Sequence, residues 1–297
     1  MLSILIPIYN FDCRDLVRDL VAQADVLEEA VEIICLDDAS SSVFRVLNQE
    51  ILSYSSMVTY QYLSKNIGRS KIRNRLAKLA QFPYLLFMDC DAAVPCDDYL
   101  KQYLIHCQPN TVLCGGRVYQ NTAPENDDYL LHWTVGKVRE EIDAKVRQQQ
   151  PYYSFMTNNF IAPKSVFDRL QFEEKLTQYG HEDTLFGLAL EEQNISVNHL
   201  DNPLIHVGLE ETMIFLEKTE QALENLVYLV QNGYLIETRL LQLFRRLERA
   251  RLLSVFLRSF RWARPRLIQR LKSAAPSLFA FDLYKLGIFV EKYVDSR

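Results

Sequence analysis

The chain has 297 residues, 48% apolar and 24% charged, which is long enough for a large core and too apolar for global disorder. Its net charge of −5 conceals a division: residues 239–297 carry 14 Lys/Arg and 4 Asp/Glu (+10), whereas the first 238 residues carry 19 and 34 (−15). That acidic body disfavours broad contact with phosphate backbones, so no nucleic-acid partner is expected; no apolar run reaches the roughly 18 residues of a transmembrane helix.

The opening MLSILIPIYNFD has no basic start, and Pro7 breaks its short apolar run, so it reads as a buried strand and not as a signal peptide. Further apolar runs follow at 31–36, 57–63, 84–88 and 112–118, with helical stretches at 15–27, 43–51 and 70–79 separating the first four. This alternation predicts successive βαβ units, hence an α/β fold with a mostly parallel sheet flanked by helices. Ligands of such sheets bind at the carboxyl ends of the strands, where each run here turns polar: IPIYN, CLDDAS and MDCDA. Beyond Gln120 the alternation loosens. Residues 125–150 read as largely helical, 152–162 as extended chain leading to a short helix started by Pro163, 182–192 as a helix and 195–200 as a strand. From Glu210 onward the pattern is helical, with interruptions near Gly233, Pro265 and Pro276, and a boundary near 235 divides a first domain (1–235) from a helical extension (236–297). Cys13, Cys35, Cys90, Cys96, Cys107 and Cys114 form no CxxC pair and no metal-finger spacing, which fits reduced thiols in a cytosolic protein.

Three polar clusters carry candidate chemistry. Asp89 and Asp91 follow the apolar run 84–88; two carboxylates so close repel each other unless a cation joins them, and Mg2+-like ions share such oxygens with phosphates. The alternative is an ordinary Asp-rich loop start. Asp37 and Asp38 end another strand, either capping the next helix or leaving Asp38 to meet a nucleobase. KNIGRSKIRNR, residues 65–75, has five Lys/Arg in eleven positions, so Arg73 either lies on a solvated helix face or reaches towards a diphosphate. Neither GxxxxGK[ST] nor GxGxxG occurs, which excludes the common phosphate-loop modes.

Taken in order, SILIPIYN (3–10), CLDDAS (35–40), NIGRSKIRN (66–74), LLFMDCDA (85–92) and YGHEDTLFG (179–187) resemble the family 2 glycosyltransferases, inverting GT-A-fold enzymes that use nucleotide-diphosphate sugars. The resemblance covers roughly residues 1–210. It implies that Pro7, Tyr9 and Asp38 line the nucleoside pocket, that Arg73 lies near the donor, and that Asp89 sits by the ribose or donor sugar and with Asp91 and His206 belongs to a Mn2+ or Mg2+ site. Asp183, in the pair Glu182–Asp183, matches the family's catalytic base; without the resemblance the pair reads as ordinary acidic residues in a helix's first turn. Asn158 and Asn159 either contact sugar hydroxyls or hold a turn. Ala39, Leu76 and His181 stand where the family often has glycine. The implied reaction is inverting transfer from a nucleotide-diphosphate sugar, UDP by default, to a glycan or lipid-linked saccharide, in a bacterial-type polysaccharide pathway. The alternatives are a nucleotidyltransferase, disfavoured because IPIYNFD has no glycine-rich loop, and an inactive binding protein of the same fold, disfavoured by the two acidic pairs.

Residues 239–272 hold eleven Lys/Arg, one acidic residue and many Leu, Phe and Trp. As a helix they suit the surface of an anionic bilayer, which places the protein in the cytoplasm, peripheral to the inner face of the membrane. Packing of the apolar side chains on the domain, or a homodimer, are the competing uses of the same residues.

Overall fold

The computed structural model describes residues 1–175, 179–234 and 236–296. These fall into two compact units: residues 1–120, 139–175 and 182–208 form the first, and residues 121–138, 179–181, 209–234 and 236–296 the second. The expected boundary at residue 235 lies outside the described residues.

The first unit begins with β1 (Leu2–Ile8), α1 (Arg14–Ala24), β2 (Val31–Asp37), α2 (Ser42–Gln49), β3 (Val58–Tyr62), α3 (Arg69–Leu79) and β4 (Tyr84–Met88), each within a few residues of its sequence expectation. β5 (Ala92–Ala93), α4 (Tyr99–His106), β6 (Thr111–Cys114) and β7 (Arg117–Tyr119) follow. The chain then leaves for α5 (Leu130–Val135) of the second unit and returns as α6 (Ala144–Arg147), β8 (Asn159–Pro163), α7 (Lys164–Arg169), α8 (Glu182–Glu192), β9 (Ser196–His199) and β10 (Leu204–His206). Seven strands lie in the order β3-β2-β1-β4-β8-β6-β9. All neighbours are parallel except β8, which is antiparallel to both β4 and β6. β1 is buried almost throughout, so its two faces serve separate cores. Ile4, Ile6 and Ile8 meet α1 and α4 on one side, and Leu5 joins Ile72, Phe87 and Phe160 on the other.

One expectation changed here. The run 112–118 is not one strand: β6 belongs to the large sheet and β7 to a small one of order β5-β10-β7. The break is Gly115–Gly116. A Cβ on Gly115 would sit 2.2 Å from the Asn202 carbonyl, and Gly116 has φ +88 with the Arg147 guanidinium against it. Residues 125–150 are largely helical as expected, but in short consecutive segments, including a π-helical turn over Gly136–Glu140.

The second unit contains α5 and four longer helices, α9 (Thr212–Gln231), α10 (Arg239–Arg249), α11 (Leu253–Leu271) and α12 (Leu278–Asp295). Pro265 does not interrupt the helix as expected but lies inside α11. The break falls earlier, at Arg251, whose φ of 59 is left-handed. A proline removes one N–H and crowds the preceding turn, and a long, packed helix absorbs this. Among the described residues, no helix is long and apolar enough to cross a membrane.

Candidate active site

Every acidic residue singled out in the sequence lies in the first unit, with Asp37, Asp38, Asp89 and Asp91 at strand ends and Glu182 and Asp183 at the start of α8. At the end of β1, Pro7 is half-buried and Tyr9 is 55% exposed. The next residue, Asn10, ties this loop to the end of β2: its backbone N–H donates to Ser40 Oγ (2.8 Å), and its Oδ1 accepts from the Ser41 N–H (2.8 Å). Asp37 is fully buried and structural, accepting from the Ser40 N–H at 2.7 Å and from Tyr60 Oη at 2.8 Å. Asp38 accepts the Ile67 N–H at 2.7 Å and the Gly68 N–H at 3.0 Å, so it shapes the 66–68 loop that leads into α3. Burial raises its pKa in spite of those two donors. Ala39, between Asp38 and Ser40, has φ 64, and His181, just before α8, has φ 68. Both are places where the family often has glycine, and a left-handed backbone is the physical reason.

Asp89 is surrounded by guanidinium groups. Arg73 Nη2 lies at 2.6 Å, Arg69 Nη2 at 3.5 Å and Arg117 Nη2 at 3.6 Å. Arg73, expected near the donor, is buried against this carboxylate. Burial lowers its pKa, and Asp89 offsets part of that effect. Arg69, one helical turn earlier, was not singled out from the sequence. It is 39% exposed and bridges Asp89 to Glu182, donating from Nε to Glu182 Oε1 at 2.7 Å. The available signal was its position at the start of α3, four residues before Arg73.

Asp91 faces the small sheet. β10 pairs with β5 in a register that sets His206 opposite Ala92, and His206 Nδ1 lies 3.6 Å from Asp91 Oδ1. Gly208 packs so closely on Asp91 that a Cβ there would come within 2.6 Å of the aspartate's own Cβ. Burial would raise the Asp91 pKa, but His206, Arg117 and Arg69 outweigh it and hold the carboxyl well below its usual range. Arg117 in turn is kept cationic by Glu140, Tyr119, Asp89 and Asp91 against the effect of burial.

Asp89, Asp91, Arg117, Asn158 and His206 line a cavity of about 10 Å³, room for one water-sized species. Asp91 Oδ1 and Asn158 Oδ1 are buried and accept no hydrogen bond among the described residues. Two buried oxygens and an imidazole around a space of that size fit a single hard or borderline divalent cation, with phosphate and water supplying the remaining ligands. Among the described residues no three His, Cys, Asp or Glu side chains form a metal-ligand group. The neighbouring Asn159 has a different task. Its Oδ1 accepts from Tyr99 Oη and Tyr103 Oη, both at 2.6 Å, and its Nδ2 donates to the Gly116 and Asn202 carbonyls. It fixes the backbone beside the cavity.

At the start of α8 the two acidic residues diverge. Glu182 is buried, and Arg69 and Arg73 lower its pKa against the effect of burial. Asp183 is half-buried, and burial and the Glu182 charge push its pKa up to about 6. It accepts the Thr184 N–H through Oδ1 at 2.7 Å. The two adjacent carboxyls are thus pushed in opposite directions, Glu182 down and Asp183 up.

The glycosyl transferase family 2 model matches residues 3–170. The chain belongs to that family. The poly(ribitol-phosphate) beta-glucosyltransferase of Bacillus spizizenii is 33% identical to this chain over 106 residues, which are 34% of this chain and 16% of that protein. The chain therefore spans only a small part of that relative's length. The mannosyltransferase PcManGT from Pyrobaculum calidifontis, solved in complex with GDP-Man and Mn2+, aligns with 100% of this chain and 88% of its own at a TM-score of 0.60 and 13% identity. S. aureus TarS 1–349 in complex with UDP aligns with 98% and 88% at a TM-score of 0.50 and 17% identity. At these identities the likeness is one of fold, and it agrees with the mixed sheet and strand-end site of a GT-A glycosyltransferase.

Proposed function

We propose that the transferase moves a sugar from a nucleotide-diphosphate donor to a hydroxyl of a glycan or lipid-linked saccharide, with inversion at the anomeric carbon and Asp183 as general base. The observation that carries this reading is the divergence of the Glu182–Asp183 pair, which Arg69 links to Asp89 in the lining of a cavity sized for one cation. A base with pKa near 6 is largely deprotonated at neutral pH and still accepts a proton with useful driving force. In the proposed step the acceptor oxygen bonds to the anomeric carbon, the bond to the donor's diphosphate breaks, and the acceptor proton passes to the Asp183 carboxylate. Glu182 remains ionised, holding Arg69 at 2.7 Å. Arg69, with 39% of its side chain exposed, offers positive charge to the departing diphosphate. Arg73 and Asp89 form the buried support that keeps Arg69 and the strand end in place.

Asp91, His206 and Asn158 would hold the divalent cation, which when bound supplies charge neutralisation to a diphosphate leaving group. Mn2+ in the PcManGT complex supports this reading. UDP is the favoured donor nucleotide because TarS was solved with it; GDP-Man in PcManGT makes guanosine the competing base. Pro7, Tyr9 and the loop shaped by Asp38 would receive the nucleoside.

Thermal unfolding against UDP and GDP, each with and without Mn2+, tests the donor site, because ligand bound only to the folded state raises the melting temperature. A metal-dependent shift that disappears in Asp91→Ala supports the reading. Asp183→Asn should keep that shift and lose turnover. No shift with any nucleotide diphosphate, in folded protein, would leave the inactive binding protein as the better account.

A further inference from the structure

The tail helices spend most of their apolar surface inside the second unit. Leu241 and Phe244 of α10 and Leu257, Phe260 and Leu271 of α11 are buried. The Phe244 ring meets Phe289 and Tyr293 of α12 edge-on, with centroids 4.9 and 4.6 Å away. The arginines on the inner side of α11 are also neutralised. Arg261 pairs with Glu291 at 2.8 Å, and Arg264 with Glu220 at 3.0 Å and Glu291 at 3.2 Å.

The opposite side of α11 is different. At about 100° per residue, Val255, Arg258, Trp262, Arg266 and Arg270 fall away from the Leu257–Phe260 stripe. Trp262 is 72% exposed and Val255 63%, and the Arg266 guanidinium lies 4.4 Å from the Trp262 ring centre. Among the described residues no ion pair reaches Arg258, Arg266 or Arg270. The sequence explains why: from Arg249 to Phe281 there are eight Lys/Arg and no Asp or Glu. The face thus combines a large amphipathic ring, a β-branched apolar residue and uncompensated cations.

We propose that this face of α11 seats the protein on an anionic lipid bilayer. Trp262 and Val255 enter the boundary between headgroups and acyl chains, and Arg258, Arg266 and Arg270 pair with lipid phosphates. An interfacial helix needs this combination: an aromatic ring with a polar edge, flanked by long cations whose stems lie along the apolar surface. A second copy of the chain fits the face poorly, since a two-fold contact would set three arginines against the same three. A nucleic acid is disfavoured by the net charge of −15 carried by residues 1–238. The inference does not depend on the transfer chemistry.

The test is co-sedimentation of the full chain with vesicles of pure phosphatidylcholine and of phosphatidylcholine mixed with phosphatidylglycerol, at low and high salt. Wild type should bind the anionic vesicles alone, and salt should weaken the binding. Each arginine near an anionic surface contributes about fivefold in affinity, so Arg258→Gln/Arg266→Gln/Arg270→Gln should lose on the order of 100-fold. Trp262→Ser should also weaken binding, and the wild-type tryptophan emission should shift to the blue on vesicles. All these side chains are solvent-facing, so melting temperature and the nucleotide-dependent shift should match wild type and separate a failed surface from a failed fold or donor site. Equal binding to neutral vesicles, no binding to either, or undiminished binding by the triple variant would overturn the proposal. So would a concentration-dependent dimer abolished by Trp262→Ser, or retention of duplex DNA with the same arginine dependence.

Discussion

Replacing Glu182 with Gln perturbs the proposed base without touching it. Burial and the Glu182 charge are the two causes that raise Asp183 to about 6, against an ordinary aspartate near 3.8. Gln is nearly isosteric, so burial is preserved and the neighbouring negative charge is removed. Arg69, released from its 2.7 Å contact, already acts to lower the Asp183 pKa, and its influence can only grow. Both consequences have the same sign, so the Asp183 pKa should fall. Because burial is the larger cause and remains, the fall should be about one unit or less, equivalent to ~1.4 kcal/mol of differential interaction at most. The assay is kcat/KM against pH, followed by release of the nucleoside diphosphate. Wild type should lose activity as the pH falls through about 6, and Glu182→Gln should carry that acidic limb to lower pH. A weaker base should also lower the neutral plateau severalfold. An acidic limb that stays in place, or moves upward, would refute the assignment of Asp183 as the titrating base.

Asp183→Asn should raise stability at neutral pH. The folded pKa of about 6 lies above the unfolded value near 3.8, so deprotonation favours the unfolded chain as the pH rises through that window. Asn removes this penalty; the gain, on the order of 1 kcal/mol, should be seen in urea unfolding at pH 7 to 8 and vanish below about pH 4. Asn159→Ala removes a side chain with four hydrogen-bond partners; Tyr103 Oη keeps the Asn159 carbonyl and the Gly116 carbonyl keeps the Leu204 N–H, but Tyr99 Oη and the Asn202 carbonyl each lose a buried partner. A loss of about 3–5 kcal/mol is expected by urea unfolding, and a loss below about 1 kcal/mol would mean that those groups find other partners.

Much of the fold was legible because its information is local. Apolar runs of strand length alternating with helical periods identified the first four strands and three helices of the large sheet. Strands joined by βαβ crossovers run parallel, so the strand ends with CLDDAS and MDCDA had to share the ligand-binding edge. The acidic pair at 182–183 was placed correctly at a helix's first turn for the same local reason.

What periodicity does not carry is the identity of a partner far along the chain. β8 looked like any extended segment, and only packing placed it antiparallel between β4 and β6, bringing Asn158 beside Asp89. The apolar run 112–118 gave no sign that it divides between two sheets. That depended on Asn202, Tyr103 and Arg147 arriving at Gly115 and Gly116 from elsewhere. The choice between Arg69 and Arg73 was equally hidden, since residues four apart on one helix face look alike until the carboxylates are in place. Asp89 drew Arg73 into the interior, and Glu182 held Arg69 at the surface. The sequence by itself therefore determined which groups stand at the strand ends. Tertiary structure alone decided which charges pair, because desolvation and Coulomb energy depend on distances that no local pattern encodes.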